Sequence, residues 1–212
     1  MINIYMLREI AQKLLIGLTG KFPKNITPNQ WTVISFLFAV FSGIFIFLSG
    51  KLNNPYWLIL AGIFLFFSSL LDAIDGIIAR QRNLASKKGD FLDHVFDRFS
   101  DIIPILGIVW AGYIGWEIGM IALSIISLVS YLGVQVQALG IQREYRGLMG
   151  RTYRLVILNL FIFLNAFWTE KIGLAQFQFS LLGWAMIIFV VFGGITIVQR
   201  FIYALGAIES QR

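Results

Sequence analysis

The sequence predicts an all-α integral membrane protein with six transmembrane helices and an N-terminal interfacial amphipathic helix. Of its 212 residues, 58% are hydrophobic and only 13% are charged, whereas soluble domains usually carry about 25% charged residues. The apolar runs are long enough to cross a bilayer as helices, and they lack the alternation of membrane β-strands. We therefore expect one helical membrane domain over residues 1–212.

The N-terminal segment, residues 1–20, is predicted to lie at the membrane interface. Leu7, Ile10, Leu14 and Leu18 follow helical spacing, and the charged side chains point elsewhere. An ordinary solvated terminus is the alternative interpretation.

The first span is predicted to begin after Thr27, which would cap the helix with Pro28 in its first turn. The six spans are predicted near residues 30–49, 55–80, 90–113, 118–139, 152–169 and 175–204. The connections between them are short except at 81–89 and 140–151.

Basic residues predict the orientation of these spans. All but three of the 17 Lys and Arg residues lie in the N-terminal segment, near the two longer connections or at the C-terminal end. The exceptions are Lys51, Lys171 and Arg98. Because cytoplasmic connections are enriched in Lys and Arg, both termini and the longer connections are predicted to face the cytoplasm, in the cell (plasma) membrane. The net charge of +6 is thus a topology signal and gives no reason to invoke nucleic acid.

Six of the eleven acidic residues fall within 30 positions of one another. They are Asp72, Asp75, Asp90, Asp93, Asp97 and Asp101. An ionised residue at the bilayer centre costs about 2.5–3.5 kcal/mol, so such residues indicate a functional site. Arg80 and Arg98 cannot neutralise them all, and bound divalent cations are expected. Oxygen ligands favour Mg²⁺ or Mn²⁺. With no cysteine and one histidine, thiolate and multi-histidine metal sites are excluded.

Helical phase places the aspartates on two faces. Asp72 and Asp75 are three positions apart on the second span, and Asp93 and Asp97 are four apart on the third. Two neighbouring antiparallel helices joined by a single loop would bring these faces together at the cytoplasmic end.

Small residues accompany the carboxylates. Gly76 and Ala79 leave room for a ligand to approach the helix backbone. Close helix packing in the membrane is the alternative, but the adjacent aspartates favour a ligand slot.

The segment from Asp72 to Asp97 resembles the signature of the CDP-alcohol phosphotransferase family. Asp72-Ala-Ile-Asp75-Gly76-Ile-Ile-Ala79-Arg80, with Gly89, Asp93 and Asp97, carries all eight fixed positions at the right spacing. The six-span layout extends the resemblance to the whole chain. The resemblance implies transfer of a phosphatidyl- or archaetidyl-type group from CDP to an acceptor hydroxyl, with release of CMP, in phospholipid biosynthesis.

The resemblance also implies residue roles. The metal ligands, for two Mg²⁺ or Mn²⁺ ions, would be Asp72, Asp75, Asp93 and Asp97. The nucleotide-binding residues would be Asp72, Gly76, Ala79, Arg80 and Gly89. Asp97 would also be the general base toward the acceptor hydroxyl. The implied partners are a CDP-linked lipid donor, a polar alcohol acceptor and a second copy of the chain in a homodimer.

A second basic group faces the same side of the membrane. Arg143, Arg146, Arg151 and Arg154 are expected either to clamp the phosphate of a polyol phosphate acceptor, such as inositol phosphate or glycerol phosphate, or to set topology alone. Arg151 and Arg154 are the better candidates, since they share a face at the start of the fifth span.

The segment Gly147–Leu155 resembles the Gly-x-x-x-Arg-x-x-Arg-Leu stretch of the archaeal and inositol-phosphate-using branches. Those branches often carry basic residues after a Ser-Tyr pair late in the fourth span. Here Ser130 and Tyr131 are followed by Gln135 and Gln137 instead. Ser130 and Gln137 are candidates to contact a polyol acceptor, and hydrogen bonding of the glutamines inside the bundle is the alternative.

Three residues on the active face lie outside the signature. Asp90 is expected to cap the third span, Asp101 to contact Arg98 or the acceptor, and His94 to support the site beside Asp93.

Two other functions remain open at this point. An intramembrane Mg²⁺-dependent prenyltransferase also uses aspartate-rich helices, but it usually needs more spans and a second acidic motif. A divalent-cation carrier would need polar groups along a path through the membrane, and few follow Asp101.

Overall fold

The computed structural model describes residues 25–141, 147–174 and 177–209, together with Gly17 and Pro23. Within these ranges the chain forms six long helices and one short hairpin. They are α1 (Pro28–Lys51), α2 (Trp57–Gln81), α3 (Lys87–Trp110), α4 (Trp116–Ala138), α5 (Arg151–Phe167), β1 (Ile172–Leu174), β2 (Phe177–Phe179) and α6 (Leu181–Glu209). The predicted interfacial helix over residues 1–20 lies outside the described residues, apart from Gly17.

Local hydrogen bonds set the start of α1 as the sequence predicts. The Thr27 hydroxyl accepts from the Gln30 backbone N–H at 3.3 Å, and the Gln30 side chain accepts from the Thr27 backbone N–H at 2.8 Å. This reciprocal pair satisfies two donors that would otherwise have no partner in the helix, and Pro28 follows in the first turn.

The start of α3 differs from the prediction. Ser86, and not Asp90, caps the helix, because its hydroxyl accepts from the Gly89 backbone N–H at 3.1 Å. The helix therefore begins at Lys87, three positions before the predicted start.

The helices close into a ring. Going around it, α1 packs on α2, α2 on α5, α5 on α6, α6 on α4, α4 on α3, and α3 again on α1. Glycine permits a close approach of α1 and α3, where a Cβ on Gly107 of α3 would lie 2.5 Å from the Gly43 carbonyl oxygen of α1. Serine hydroxyls of α1 also donate to carbonyls of α2, from Ser35 to Ser68 and from Ser42 to Ala61, each at 2.9 Å.

Apolar side chains fill the ring and also cover its outside. Ile46, Leu65 and Ile162 are fully buried, whereas Phe66 and Phe167 are exposed, as suits contact with lipid chains. Among the described residues, α1, α2, α4 and α6 are long and apolar enough to cross a membrane. The chain is thus a mostly helical membrane protein.

A β-hairpin interrupts the predicted all-α fold. Ile172–Leu174 pairs antiparallel with Phe177–Phe179, and the Trp184 indole donates to the Ile172 carbonyl at 2.9 Å. The last helix therefore begins at Leu181, not near residue 175, and it continues to Glu209. The prediction was wrong here because a short aromatic run carries the same hydrophobicity in a strand as in a helix.

Candidate active site

The signature aspartates converge where α2 ends and α3 begins. One carboxylate oxygen from each of Asp72, Asp75 and Asp93 lies within 4.8 Å of the others, and Asp93, His94 and Asp97 form a second such group. The prediction of neighbouring helices assumed that α2 and α3, which carry these aspartates, pack on each other. In the structure they do not pack extensively on each other. Both pack on α1, which lies between them in the ring.

This carboxylate cluster fits a hard divalent cation. Asp75 and Asp97 are only 4% and 6% exposed, and the Asp75 Oδ2 atom is buried with no hydrogen-bond partner among the described residues. Buried ionised carboxylates need a compensating charge. Mg²⁺ and Mn²⁺ prefer oxygen ligands of this kind.

A pocket of about 180 Å³ opens beside the cluster, between α1, α2 and α3. Its lining includes every predicted nucleotide-binding position except Asp72, together with two of the predicted metal ligands. These residues are Asp75, Gly76, Ala79, Arg80, Gly89 and Asp93. The structure thus brings together residues that the sequence separates into two groups.

Two polar residues at the start of α1, which the sequence does not single out for a site, also line this pocket. Asn29 and Thr32 lie one turn apart on the first turns of α1. A Cβ on Gly89 would lie 2.9 Å from the Asn29 Oδ1 atom, so the start of α1 and the start of α3 approach closely at this pocket. The sequence predicts a helix start here, and the polar pair at positions i and i+3 is the signal in it that points to the pocket.

Arg151 reaches the cluster from α5. Its Nη1 atom donates to Asp72 Oδ2 at 2.7 Å and its Nη2 atom to Asp72 Oδ1 at 3.3 Å. The Nη1 atom also lies 2.7 Å from Asp97 Oδ1, as an ion pair without the alignment of a hydrogen bond. The guanidinium therefore bridges the aspartates of α2 and α3.

Arg154 lies one turn further along α5 and is only 3% exposed. Its Nη2 atom donates to the Asp101 carboxylate and to Ser130 Oγ, the latter at 3.3 Å, and its Nη1 atom donates to the Met149 carbonyl at 3.1 Å. Asp101 thus pairs with Arg154, whereas Arg98 pairs with Asp97 at 3.5 Å. The expected contact between Asp101 and Arg98 is replaced by this buried network, which also holds Ser130.

The remaining candidates lie away from the cluster or at its edge. Gln135 and Gln137 are exposed on α4, so they do not hydrogen-bond inside the bundle as the alternative interpretation proposed. His94 lies 3.7 Å from Asp93 and 3.8 Å from Asp90. Arg143 and Arg146 fall outside the described residues.

Arg200 is a buried cation whose position the sequence did not reveal. It is 7% exposed on α6, and its Nη1 atom donates to the Val129 carbonyl of α4 at 2.6 Å. In the sequence it contributes only to the charge asymmetry. The one signal available was a single arginine within a long apolar helix.

Comparison with known proteins identifies the family. The family model for CDP-alcohol phosphatidyltransferase matches residues 25–203, and the chain belongs to this family. An archaetidylinositol phosphate synthase from Pyrococcus horikoshii is 33% identical over 160 residues, which cover 76% of this chain and 79% of that protein.

The fold is shared with phosphatidylinositol phosphate synthase from Mycobacterium tuberculosis, at 24% identity and a TM-score of 0.69. The match to the structure of that enzyme with CDP-DAG bound covers 92% of this chain and 94% of the enzyme's chain. The match to a second structure of the enzyme, in complex with manganese and citrate, covers 91% of this chain and 88% of the enzyme's chain.

The chain is therefore a membrane enzyme of phospholipid biosynthesis. It transfers a phosphoalcohol group from a CDP-alcohol to an acceptor hydroxyl. This assignment removes the prenyltransferase and the cation carrier from consideration.

Proposed function

We propose that the enzyme transfers a phosphatidyl- or archaetidyl-type group from a CDP-linked lipid to a phosphorylated polyol, most specifically inositol phosphate. The observation that carries this proposal is the two-sided carboxylate cluster. Asp75 and Asp93 line the pocket, whereas Asp72 and Asp97 contact Arg151. We call the face of the cluster formed by Asp72 and Asp97 the acceptor side. The Arg151 guanidinium on this side suits the phosphate of an acceptor, because arginine binds phosphate through charge-assisted hydrogen bonds.

The names of the relatives favour inositol phosphate over glycerol phosphate. The proteins from Pyrococcus horikoshii and Mycobacterium tuberculosis are an archaetidylinositol phosphate synthase and a phosphatidylinositol phosphate synthase. The CDP-DAG bound to the latter supports a CDP-linked lipid as the donor.

Two divalent cations, Mg²⁺ or Mn²⁺, would be held by Asp72, Asp75, Asp93 and Asp97. The manganese in the Mycobacterium tuberculosis structure and the unpartnered oxygen of Asp75 support this ligand set. When bound, such cations neutralise a diphosphate and stabilise the oxygen of a departing phosphate.

The side chains of this protein perform the remaining steps. Asp97 accepts the proton of the acceptor hydroxyl. The hydroxyl oxygen forms a bond to the phosphorus on the lipid side, the bond from that phosphorus to the CMP oxygen breaks, and CMP leaves. Gly76, Ala79 and Gly89 would give the nucleotide access to the helix backbones, and Arg80, which lines the same pocket, would neutralise its phosphates.

The membrane arrangement follows from the charge asymmetry. We infer one domain over residues 1–212 with six spans, an interfacial helix over residues 1–20, and a site that faces the cytoplasm at the plasma membrane. The basic residues at the ends of the chain and near the longer connections support this orientation. The resemblance to the family supports a homodimer.

The proposal is tested with purified full-length protein and CDP-diacylglycerol or CDP-archaeol in the presence of Mg²⁺ or Mn²⁺. CMP release is measured with inositol phosphate, glycerol phosphate, inositol and serine as acceptors. We expect rapid release with inositol phosphate and little with the unphosphorylated alcohols. Equal rates with inositol and inositol phosphate, or no release with any acceptor, would refute it.

A further inference from the structure

The helix α5 begins without a side-chain cap, because Gly150 stands at its N-cap position. The starts of α1 and α3 differ, since Thr27 and Ser86 each accept a hydrogen bond from a backbone N–H of the first turn. The position of the first turn of α5, which carries Arg151, therefore depends on contacts with other elements.

Met149, which precedes this first turn, is fixed at three points. Its side chain is buried in the apolar core. Its carbonyl accepts from Arg154 Nη1 at 3.1 Å. Its backbone N–H donates to Thr196 Oγ1 of α6 at 3.0 Å, in the buried interior. The hydroxyl of Thr196 thus joins the connection into α5 to the last helix of the chain.

Thr196 is fully buried, and both parts of its side chain meet neighbours. The hydroxyl donates its proton to the Phe192 carbonyl one turn back, at 2.8 Å, and it therefore offers a lone pair to the Met149 N–H. The methyl group faces Gly147, where an added Cβ would lie 2.4 Å from Thr196 Cγ2. Gly147 also has a φ of +116°, which favours glycine. The connection into α5 therefore follows the shape of Thr196 closely.

We propose that Thr196 is a positioning residue for the acceptor, because its hydroxyl fixes the start of α5 and thereby the place where the acceptor phosphate binds. Thr196 lies on α6, which contributes no described residue to the pocket or to the carboxylate cluster. Its influence passes through Met149 to the first turn of α5. This inference rests on the proposed function, in which a phosphorylated acceptor binds beside that turn.

Loss of the hydroxyl would leave the Met149 N–H buried without an acceptor. Such a donor is unfavourable, so the connection would shift until the N–H meets another acceptor or water. A misplacement of about 1 Å by a change far from the chemistry can cost about 10²-fold in activity. The pocket between α1, α2 and α3 would keep its shape, because α6 packs mainly on α4 and α5.

The test measures CMP release by purified full-length protein in detergent with Mg²⁺, and it determines KM separately for inositol phosphate and for CDP-diacylglycerol. Thr196→Val removes the hydroxyl but keeps the shape of the side chain, and it should raise KM for inositol phosphate by about tenfold or more. KM for CDP-diacylglycerol should change by less than about twofold. A mere loss of folded protein would lower the rate and leave both KM values unchanged.

Thr196→Ser tests the hydroxyl itself. It keeps the acceptor for the Met149 N–H and should return KM for inositol phosphate to within about twofold of wild type. If Thr196→Val does not fold, Thr196→Ala takes its place, because alanine removes the hydroxyl without adding apolar bulk.

Asn165→Leu is the matched control for a bond of the same kind. Asn165 is buried on α5, and its Oδ1 atom accepts from the Leu182 backbone N–H of α6 at 3.1 Å. This hydrogen bond joins the same two helices at their other end, away from the carboxylate cluster. Asn165→Leu should lower the thermal unfolding temperature and leave both KM values as in wild type.

The outcomes separate the two proposals. Wild type that releases no CMP with inositol phosphate refutes the proposed function. Wild type that transfers to inositol phosphate, together with a Thr196→Val variant that keeps the wild-type KM for it, refutes only the positioning role. That role is also refuted if Thr196→Val raises both KM values equally, if Thr196→Ser fails to restore KM, or if Asn165→Leu raises KM for inositol phosphate as much.

Discussion

Two arginine–aspartate pairs lie one turn apart between α3 and α5. Arg151 meets Asp97 near the carboxylate cluster, and Arg154 meets Asp101 in the buried interior. Arginines three positions apart on one helix thus face aspartates four positions apart on the other. The two pairs have different tasks. The inner pair, Arg154 with Asp101, has only protein partners. The outer pair, Arg151 with Asp97, borders the proposed reaction site.

Asp97→Asn tests the proposed base. Asparagine keeps the size of the side chain but cannot accept the hydroxyl proton, so kcat should fall by about 10²–10⁴-fold. Binding of CDP, measured by isothermal titration calorimetry with Mg²⁺, should persist in part because the pocket lining does not include Asp97. A variant with the wild-type rate would show that another group takes the proton.

Arg154→Ala tests the inner pair. It removes the closest partner of the buried Asp101 carboxylate and leaves only Arg151 Nε, 4.0 Å away. Breaking a buried ion pair costs about 3–5 kcal/mol of stability. Thermal unfolding in detergent should show a large drop, and the exposed residue Lys51 provides a control, Lys51→Ala, with little change. The double variant D101L/R154M should recover much of the loss, since it removes both charges. A double variant no more stable than Arg154→Ala would contradict this account.

At the scale of elements, the sequence predicted those features that depend on neighbouring residues. Thr27 and Pro28 predict the start of α1, because helix capping depends only on residues within one turn. The hairpin at 172–179 was missed because its strands are three residues long and aromatic. The position of α1 between α2 and α3 could not be predicted, because it depends on packing between distant segments.

The close approach of α1 and α3 leads to a prediction for Gly107. A Cβ at this position would lie 2.5 Å from a backbone carbonyl oxygen, which cannot move as a side chain can. Gly107→Ala should therefore lower stability by about 1–3 kcal/mol through overpacking, measured as the shift in thermal unfolding.

Gly194→Ala is the matched control. A Cβ on this glycine of α6 would meet nothing within 4 Å, so alanine should be neutral or slightly stabilising through its higher helix propensity. Equal losses in both variants would show that helix propensity, and not the α1–α3 contact, decides the result.

At the scale of the whole molecule, the site assembles from both halves of the chain. The aspartates and the pocket were predictable because the signature spans 26 consecutive residues. The contact of Arg151 with Asp72 joins residues 79 positions apart, and nothing in the local sequence indicates it. The sequence predicts Arg151 on the same side of the membrane as the aspartates, but not within the carboxylate cluster.

Metal binding should stabilise the whole ring, because the cluster links α2 to α3 and exists only in the folded protein. A ligand present at 100 times its dissociation constant stabilises the folded state by about 2.7 kcal/mol. Treatment with EDTA should lower the thermal unfolding temperature, and Mn²⁺ should restore it. Asp75→Asn should reduce this response, whereas an identical response in that variant would exclude Asp75 as a ligand.

The order of elements along the chain has a consequence for how such enzymes diverge. Every described residue that lines the pocket lies between Pro28 and Asp93, whereas Arg151 and Arg154 follow much later. Inherited changes in the second half could therefore alter which alcohol is used while the handling of the CDP moiety stays as it was. A lineage could in this way acquire a new headgroup for its lipids while it keeps the residues that bind the CDP-linked donor.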